Sequence, residues 1–210
     1  VIDPNLLAEE FGLDQTRYFL MREVPFGNDG DFSRRAMIHR MNGDLANDLG
    51  NLSQRVLSMI FKNCSGVMPA LPATAAPEDS TLLDAADAML GKVRAHMDVQ
   101  SFHEALRCIW EVVSDANKYV DTTAPWGLKK TDPARMGEVL AVLAETIRQA
   151  AILVQPFMPG SASKILDQLG VADGQRGFDM LAGAGRIAAE VEISKPEPVF
   201  PRFVEEEGEV

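Results

Sequence analysis

The sequence predicts an all-α protein: an antiparallel helical bundle with a small N-terminal segment and an extended C-terminal tail. Three observations predict it. Apolar residues recur at steps of three and four along four long stretches. Helix-start chemistry stands at or near the head of each, at Ser33, Ser80, Ser101 and Asp132-Pro133. Short or moderate connectors rich in Pro, Gly and Ala separate them, which favours neighbouring helices running in opposite directions.

The elements follow in order. Asp3-Pro4 has N-cap and first-turn chemistry, and Gly12 is a candidate C-cap for "NLLAEEF". Asp14 can cap "QTRYFLMREV", which must stop near Pro25; "PFGNDGDF" is turn chemistry. Ser33 opens a long helix whose stripe is Met37, Met41, Leu45, Leu49, Leu52, Val56, Met59 and Ile60, ending at Gly66. After the connector "MPALPATAAPEDS", Ser80 opens a second run carrying Leu82, Ala86, Met89, Leu90, Val93 and Met97. Ser101 with Glu104 has the form of a capping box for a third, with Phe102, Ala105, Leu106, Ile109, Val113, Ala116 and Val120 inward. "DTTAPWGLKKT" reads as a loop. Asp132-Pro133 starts a fourth helix, with Val139, Leu140, Leu143, Ile147, Ala150 and Val154 inward until Pro156. "PFMPGSASKILDQLG" gives a turn and a short fifth helix. The organisation expected is therefore residues 1–32, a bundle over 33–170, and a tail over 171–210 that packs back through Phe200 and Phe203 and ends in a disordered "EEEGEV".

With 210 residues, 46% of them hydrophobic and 24% charged, the chain can bury one sizeable core. No apolar run approaches the ~20 residues that span a bilayer, and no basic-then-apolar leader opens the sequence. Cys64 and Cys108 belong to no CxxC or Cys/His cluster and read as buried reduced thiols, which fits a cytoplasmic protein. The opening "VIDP" reads as the middle of a longer chain, so a fragment is expected. The formal charge of −11 argues against coating nucleic acid by charge alone, but it is uneven. Residues 190–210 carry a net −5, while 34–62 carry +3 and 117–135 carry +2.

Searching for a catalytic site fails on inventory. There is no GxxxxGK, GxGxxG or HExxH motif and no Ser/His/Asp cluster. His39, His96 and His103 read as solvated or partly buried, and Asp44 with Asp48 as a solvated helix face rather than a cation site. A binding reading fares better. Asn47, Asn51 and Arg55 fall at steps of four on the shoulder of the long helix, beside its core stripe. An amide and a guanidinium held there can read an edge of mixed donor and acceptor character, such as an unpaired base; equally, they can bond neighbouring helices or water. Trp110 reads as core. Trp126, beside Lys129 and Lys130, has the local recipe for stacking a single-stranded base, or else plugs the end of the bundle.

The words "DQTRYFLMREVPFGNDGDFS", "DLANDLGNL", "YVDTTAPW" and "PFMP", in this order, resemble methionyl-tRNA synthetase, a class I aminoacyl-tRNA synthetase, over residues 1 to about 203. The resemblance implies the C-terminal portion of that enzyme, beginning just after its KMSKS loop: a stem-contact segment over 1–32, an anticodon-binding bundle and a returning tail. It implies that methionine attachment, with ATP and magnesium, belongs to the whole enzyme. This chain, lacking the HIGH and KMSKS regions, would hold no catalytic residue, metal or cofactor of its own. It assigns Asn51, Arg55 and Trp126 to the first anticodon base, a cytosine, with Trp126 stacking on it. Lys129 and Lys130 are candidate phosphate contacts not assigned by the resemblance. The implied partners are the anticodon loop of methionine tRNA and the catalytic domain. The alternatives are a helical protein-interaction module without an RNA role and the equivalent module of another class I synthetase.

Overall fold

In this computed structural model the described residues are 2–28, 30, 32–181 and 183–204. The expectation of disorder at "EEEGEV" falls on residues 205–210, outside them. Helix α1 (Pro4–Phe11) starts where Asp3 accepts a hydrogen bond from the Asn5 N–H at 2.8 Å, and it ends at Gly12, whose φ of +94° suits glycine. Helix α2 (Leu13–Glu23) follows at once. Gly12 takes the cap position, so Asp14 lies in the first turn and is not the cap. Its carboxylate instead accepts from the Ser161 N–H at the start of a distant helix.

Ser33 caps α3 (Arg34–Arg40), accepting from the Ala36 N–H. The chain then runs unbroken through a π-helical segment, Met41–Gly50, into α4 (Asn51–Asn63). The long helix matches expectation, but its winding does not. Four residues turn an α-helix by about 400°, so a strict step of four drifts by about 40° each time. Met37, Met41, Leu45 and Leu49 are four apart and all buried. A wider winding, closed by hydrogen bonds five residues apart, turns less per residue, so a step of four no longer overshoots the full turn. Past Leu49 the stripe resumes α spacing at Leu52, Val56 and Ile60.

Helix α5 (Pro77–Asp98) begins ahead of Ser80, because the Asp79 carboxylate accepts from the Ala76 N–H and closes its first turn. Ser101 stands at the N-cap of α6 (Phe102–Thr123) without a side-chain cap bond; Arg107 takes the Glu104 carboxylate, so the expected capping box does not form. The "DTTAPWGLKKT" stretch is a second correction. It is helical nearly throughout: α6 continues to Thr123, Ala124 turns with φ +43°, and α7 (Pro125–Thr131) follows. Pro125 sits in the first turn of α7, where its missing N–H costs nothing. Asp132 caps α8 (Pro133–Val154), and α9 (Pro159–Gln168) completes the set.

Side-chain bonds fix the directions. Asp44, Asp48 and Arg55 meet Trp110, Asn117 and Asp121 in the same order, so the long helix and α6 run parallel. Tyr119 near the end of α6 bonds Asp79 at the start of α5, so those two run antiparallel. Arg135, at the start of α8, meets the same aspartate. The result is the antiparallel bundle, with α8 in the middle. Where one inward face was expected, α8 is buried all round, including Glu145, Thr146, Arg148 and Gln149. The tail covers its other side: Arg148 donates to the Met180 and Leu181 carbonyls, and Glu145 accepts from the Ile187 N–H. Further on, the tail pairs with Gly66–Met68, buries Phe200, and sets Phe203 against Phe11 with ring centroids 4.9 Å apart.

Among the described residues no helix is long and apolar enough to cross a membrane. Cys64 and Cys108 are free thiols, one half-buried and one buried, and burial raises the pKa of both.

Candidate nucleic-acid interface

The core stripe orients the site. Leu45, Leu49, Leu52 and Val56 are buried, which leaves Asn47 and Asn51 exposed on the adjoining shoulder and Arg55 half-buried beside them. Two features then position Arg55. Its Nη2 lies 3.1 Å from Asp121 Oδ1 near the end of α6, and its guanidinium carbon stands 5.7 Å from the centroid of the Trp126 ring on α7. That separation is within cation–π reach. Trp126 itself is 53% exposed. Arg55 stands over its ring and the preceding Pro125 is buried, so the indole is half open to solvent and does not enter the core.

Trp126 and Arg55 are therefore brought together, with Asn51 one turn back on the same helix. Trp110 occupies the other position expected of it: it is buried, packs on Tyr18 with ring centroids 4.7 Å apart, and donates from Nε1 to the Asp44 carbonyl at 3.0 Å. Lys129 and Lys130 are exposed in the last turn of α7, on the segment that carries Trp126. Asp121 is a site residue that sequence reasoning missed. It lies on another helix, so no local spacing announces its contact with Arg55.

Beside Asn51 the bundle leaves a hollow of about 220 Å³, walled by Asn47, Asn51 and Gln54 on one side and by Phe200 and Arg202 of the tail on the other. Gln54 Nε2 donates to the Pro196 carbonyl, while its buried Oε1 has no partner among the described residues. The surface thus offers amide donors and acceptors, a guanidinium and a half-open indole face. That is the equipment for reading a flat heteroaromatic ring by stacking and edge bonds. Among the described residues no group of three or more His, Cys, Asp or Glu side chains could hold a metal ion.

Comparison with known proteins decides the family. Residues 69–210, more than half of the chain, match the family model described as the anticodon binding domain of methionyl tRNA ligase. The chain belongs to that family. Residues 1–57 match a second model, that of class I tRNA synthetases (M). A methionine–tRNA ligase of Brucella suis biovar 1 (strain 1330) is 54% identical over 206 residues, covering 98% of this chain and 39% of the relative. One from Rhizobium meliloti (strain 1021) is 50% identical, covering 99% and 40%. The apo crystal structure of Mycobacterium tuberculosis methionyl-tRNA synthetase superposes with a TM-score of 0.94 at 47% identity, over 98% of this chain and 42% of that one. The same enzyme bound by methionyl-adenylate gives 0.92 at 48% identity, over 96% and 40%. The chain thus spans about two fifths of the length of these ligases. Its helical bundle is the anticodon-binding fold of the methionyl-tRNA ligases.

Proposed function

We propose that this chain reads the anticodon of methionine tRNA as the C-terminal portion of a methionine–tRNA ligase. The observation that carries the reading is Arg55 over a half-exposed Trp126, with Asn51 on the same shoulder. Trp126 stacks on the first anticodon base, a cytosine. Asn51 and Arg55 bond its polar edge, where an amino donor lies beside ring-nitrogen and carbonyl acceptors. Uracil reverses part of that pattern and leaves a polar group unpaired, so mismatch as well as attraction selects the base. Lys129 and Lys130 lie on the same segment as the indole and take phosphates, which explains how a chain of charge −11 engages RNA through a local field.

Residues 1–32 act as a stem-contact segment and the tail from 171 returns toward the ligase body. Exposed Ile2, Leu6 and Leu13 near the N-terminus suit packing against a catalytic domain. That domain attaches methionine using ATP and magnesium in the cytoplasm; the fragment alone is inactive and needs no cofactor. The test is binding of methionine-tRNA anticodon stem-loops carrying cytosine or uracil at the first position, by wild type and by Trp126→Ala. Stacking contributes about 1–3 kcal/mol per base, so the substitution weakens cytosine binding on the order of 10- to 100-fold. Equal affinity of both proteins rejects the reader.

A further inference from the structure

A backbone carbonyl in an α-helix is taken by the N–H four residues on, and in the wider winding by the N–H five residues on. Runs beyond a single π turn are rare, so ten residues of it require a cause in their surroundings. Helix α6 supplies one. Trp110 Nε1–H donates to the Asp44 carbonyl at 3.0 Å, and Asn117 Nδ2–H donates to the Asp48 carbonyl at 3.3 Å. Other elements support the same run. Tyr18 donates from its hydroxyl to Asp44 Oδ2 at 2.7 Å, and Asn42 bonds both the N–H and the carbonyl of Phe203. Gly50 leaves the space that the winding needs: a Cβ there would lie 2.7 Å from the Leu45 carbonyl oxygen and 3.4 Å from the Phe200 side chain.

Asn51 stands at the downstream edge of this run. Its backbone N–H is shared between the Ala46 carbonyl, five residues back, and the Asp48 carbonyl, three back, so the placement of Asn51 depends on the winding behind it. Arg55, one turn on, is fixed separately by buried Leu52, Val56 and Leu57 and by Asp121.

We propose that Trp110 and Asn117 are positioning residues for the reader: by holding the Asp44 and Asp48 carbonyls they keep Met41–Gly50 in its wide winding, and that winding aims Asn51 at the edge of the base stacked on Trp126. The proposal rests on the reading of Asn51, Arg55 and Trp126 given above. Trp110, being buried, acts through the helix and not on RNA. A merely structural role for either residue would lower stability without altering base preference, which separates the two roles.

The experiment uses the 210-residue chain as wild type, Trp110→Phe, Asn117→Ala, Asn51→Ala and the Trp110→Phe/Asn51→Ala double variant. Trp110→Phe keeps an aromatic ring but loses the donor. Each binds stem-loops with cytosine or uracil at the first anticodon position, at one fixed salt concentration, with thermal melts as a check on folding. Should Trp110→Phe fail to fold, the half-buried Asn117→Ala carries the comparison. Both α6 variants are expected to lose roughly tenfold of the cytosine preference, the loss of about one well-made hydrogen bond. The double variant should lose no more than Asn51→Ala alone, and amide exchange over residues 46–51 should rise in Trp110→Phe while that of α8 does not. Unchanged preference in both α6 variants, or losses that add in full to that of Asn51→Ala, overturns the proposal alone. A wild type without cytosine preference overturns the reader and the proposal together.

Discussion

The Arg55 guanidinium stands over the Trp126 ring, 5.7 Å from its centroid, and its Nη2 lies 3.1 Å from Asp121 Oδ1. Three helices (α4, α6 and α7) thus contribute one side chain each to a single exposed spot. The planar fork of an arginine can stack on an indole and still present donors at its rim; an ammonium can do only one of these well.

Arg55→Lys is therefore expected to weaken binding of a cytosine stem-loop by roughly tenfold through the lost fork and stacking. Stability should hardly change, since the Asp121 side chain is 67% exposed and exposed ion pairs contribute little. Fluorescence anisotropy with labelled stem-loop, beside a thermal melt, measures both. A large fall in melting temperature with unchanged binding would contradict this account.

In the core, Glu145 accepts from Arg148, Gln149 and the Ile187 N–H, while Arg148 also donates to tail carbonyls. Both charges are buried. Arg148→Met removes the buried guanidinium that compensates Glu145, leaving it only the more distant Arg186 at 3.6 Å, and is expected to cost about 3 kcal/mol, whereas Arg148→Met with Glu145→Leu should recover most of it. Urea unfolding of the two variants decides the matter; a double variant as unstable as the single one would show that pinning the tail, and not charge compensation, dominates.

Acid should act through Asp79. Burial pushes its carboxyl pKa up, but hydrogen bonds from Arg135, Tyr119 and the Ala76 N–H outweigh that and hold it below the usual carboxylate range. A depressed native pKa gives stability that is complete above the unfolded value of about 3.9 and is lost as pH falls through the native one. Asp79→Asn is therefore expected to be less stable than wild type at pH 7 by roughly 3 kcal/mol, with the gap closing below pH ~4. Denaturant melts at pH 7, 5 and 3 test the sign.

At high pH the two tyrosines behave alike. Burial and the Asp44 carboxylate raise Tyr18, and burial and Asp79 raise Tyr119. Stability they contribute is complete below the unfolded value of about 10 and declines above it. Tyrosinate absorbance should thus appear only together with unfolding, as followed by circular dichroism in the same titration. Tyrosinate forming in a still-helical protein would mean that one ring is open to water.

Residue type and spacing alone determined where the long helices lie and the apolar stripe that each turns inward, because apolar periodicity and cap chemistry are local; they did not show the short helix at Pro125–Thr131. They also put Asn51 and Arg55 on one shoulder, and the quoted words identified the family. Tertiary structure decided the rest. The strict spacing of four from Met37 to Leu49 became a π winding because α6 and the tail offered partners for it. Arg148 and Glu145, on the side of α8 away from its expected inward face, became buried because a distant segment covers them. Trp126 came to lie beside Arg55 because α7 folded at the end of α6. In each case the partner is far along the chain, and a contact between distant residues exists only once packing has brought their helices together.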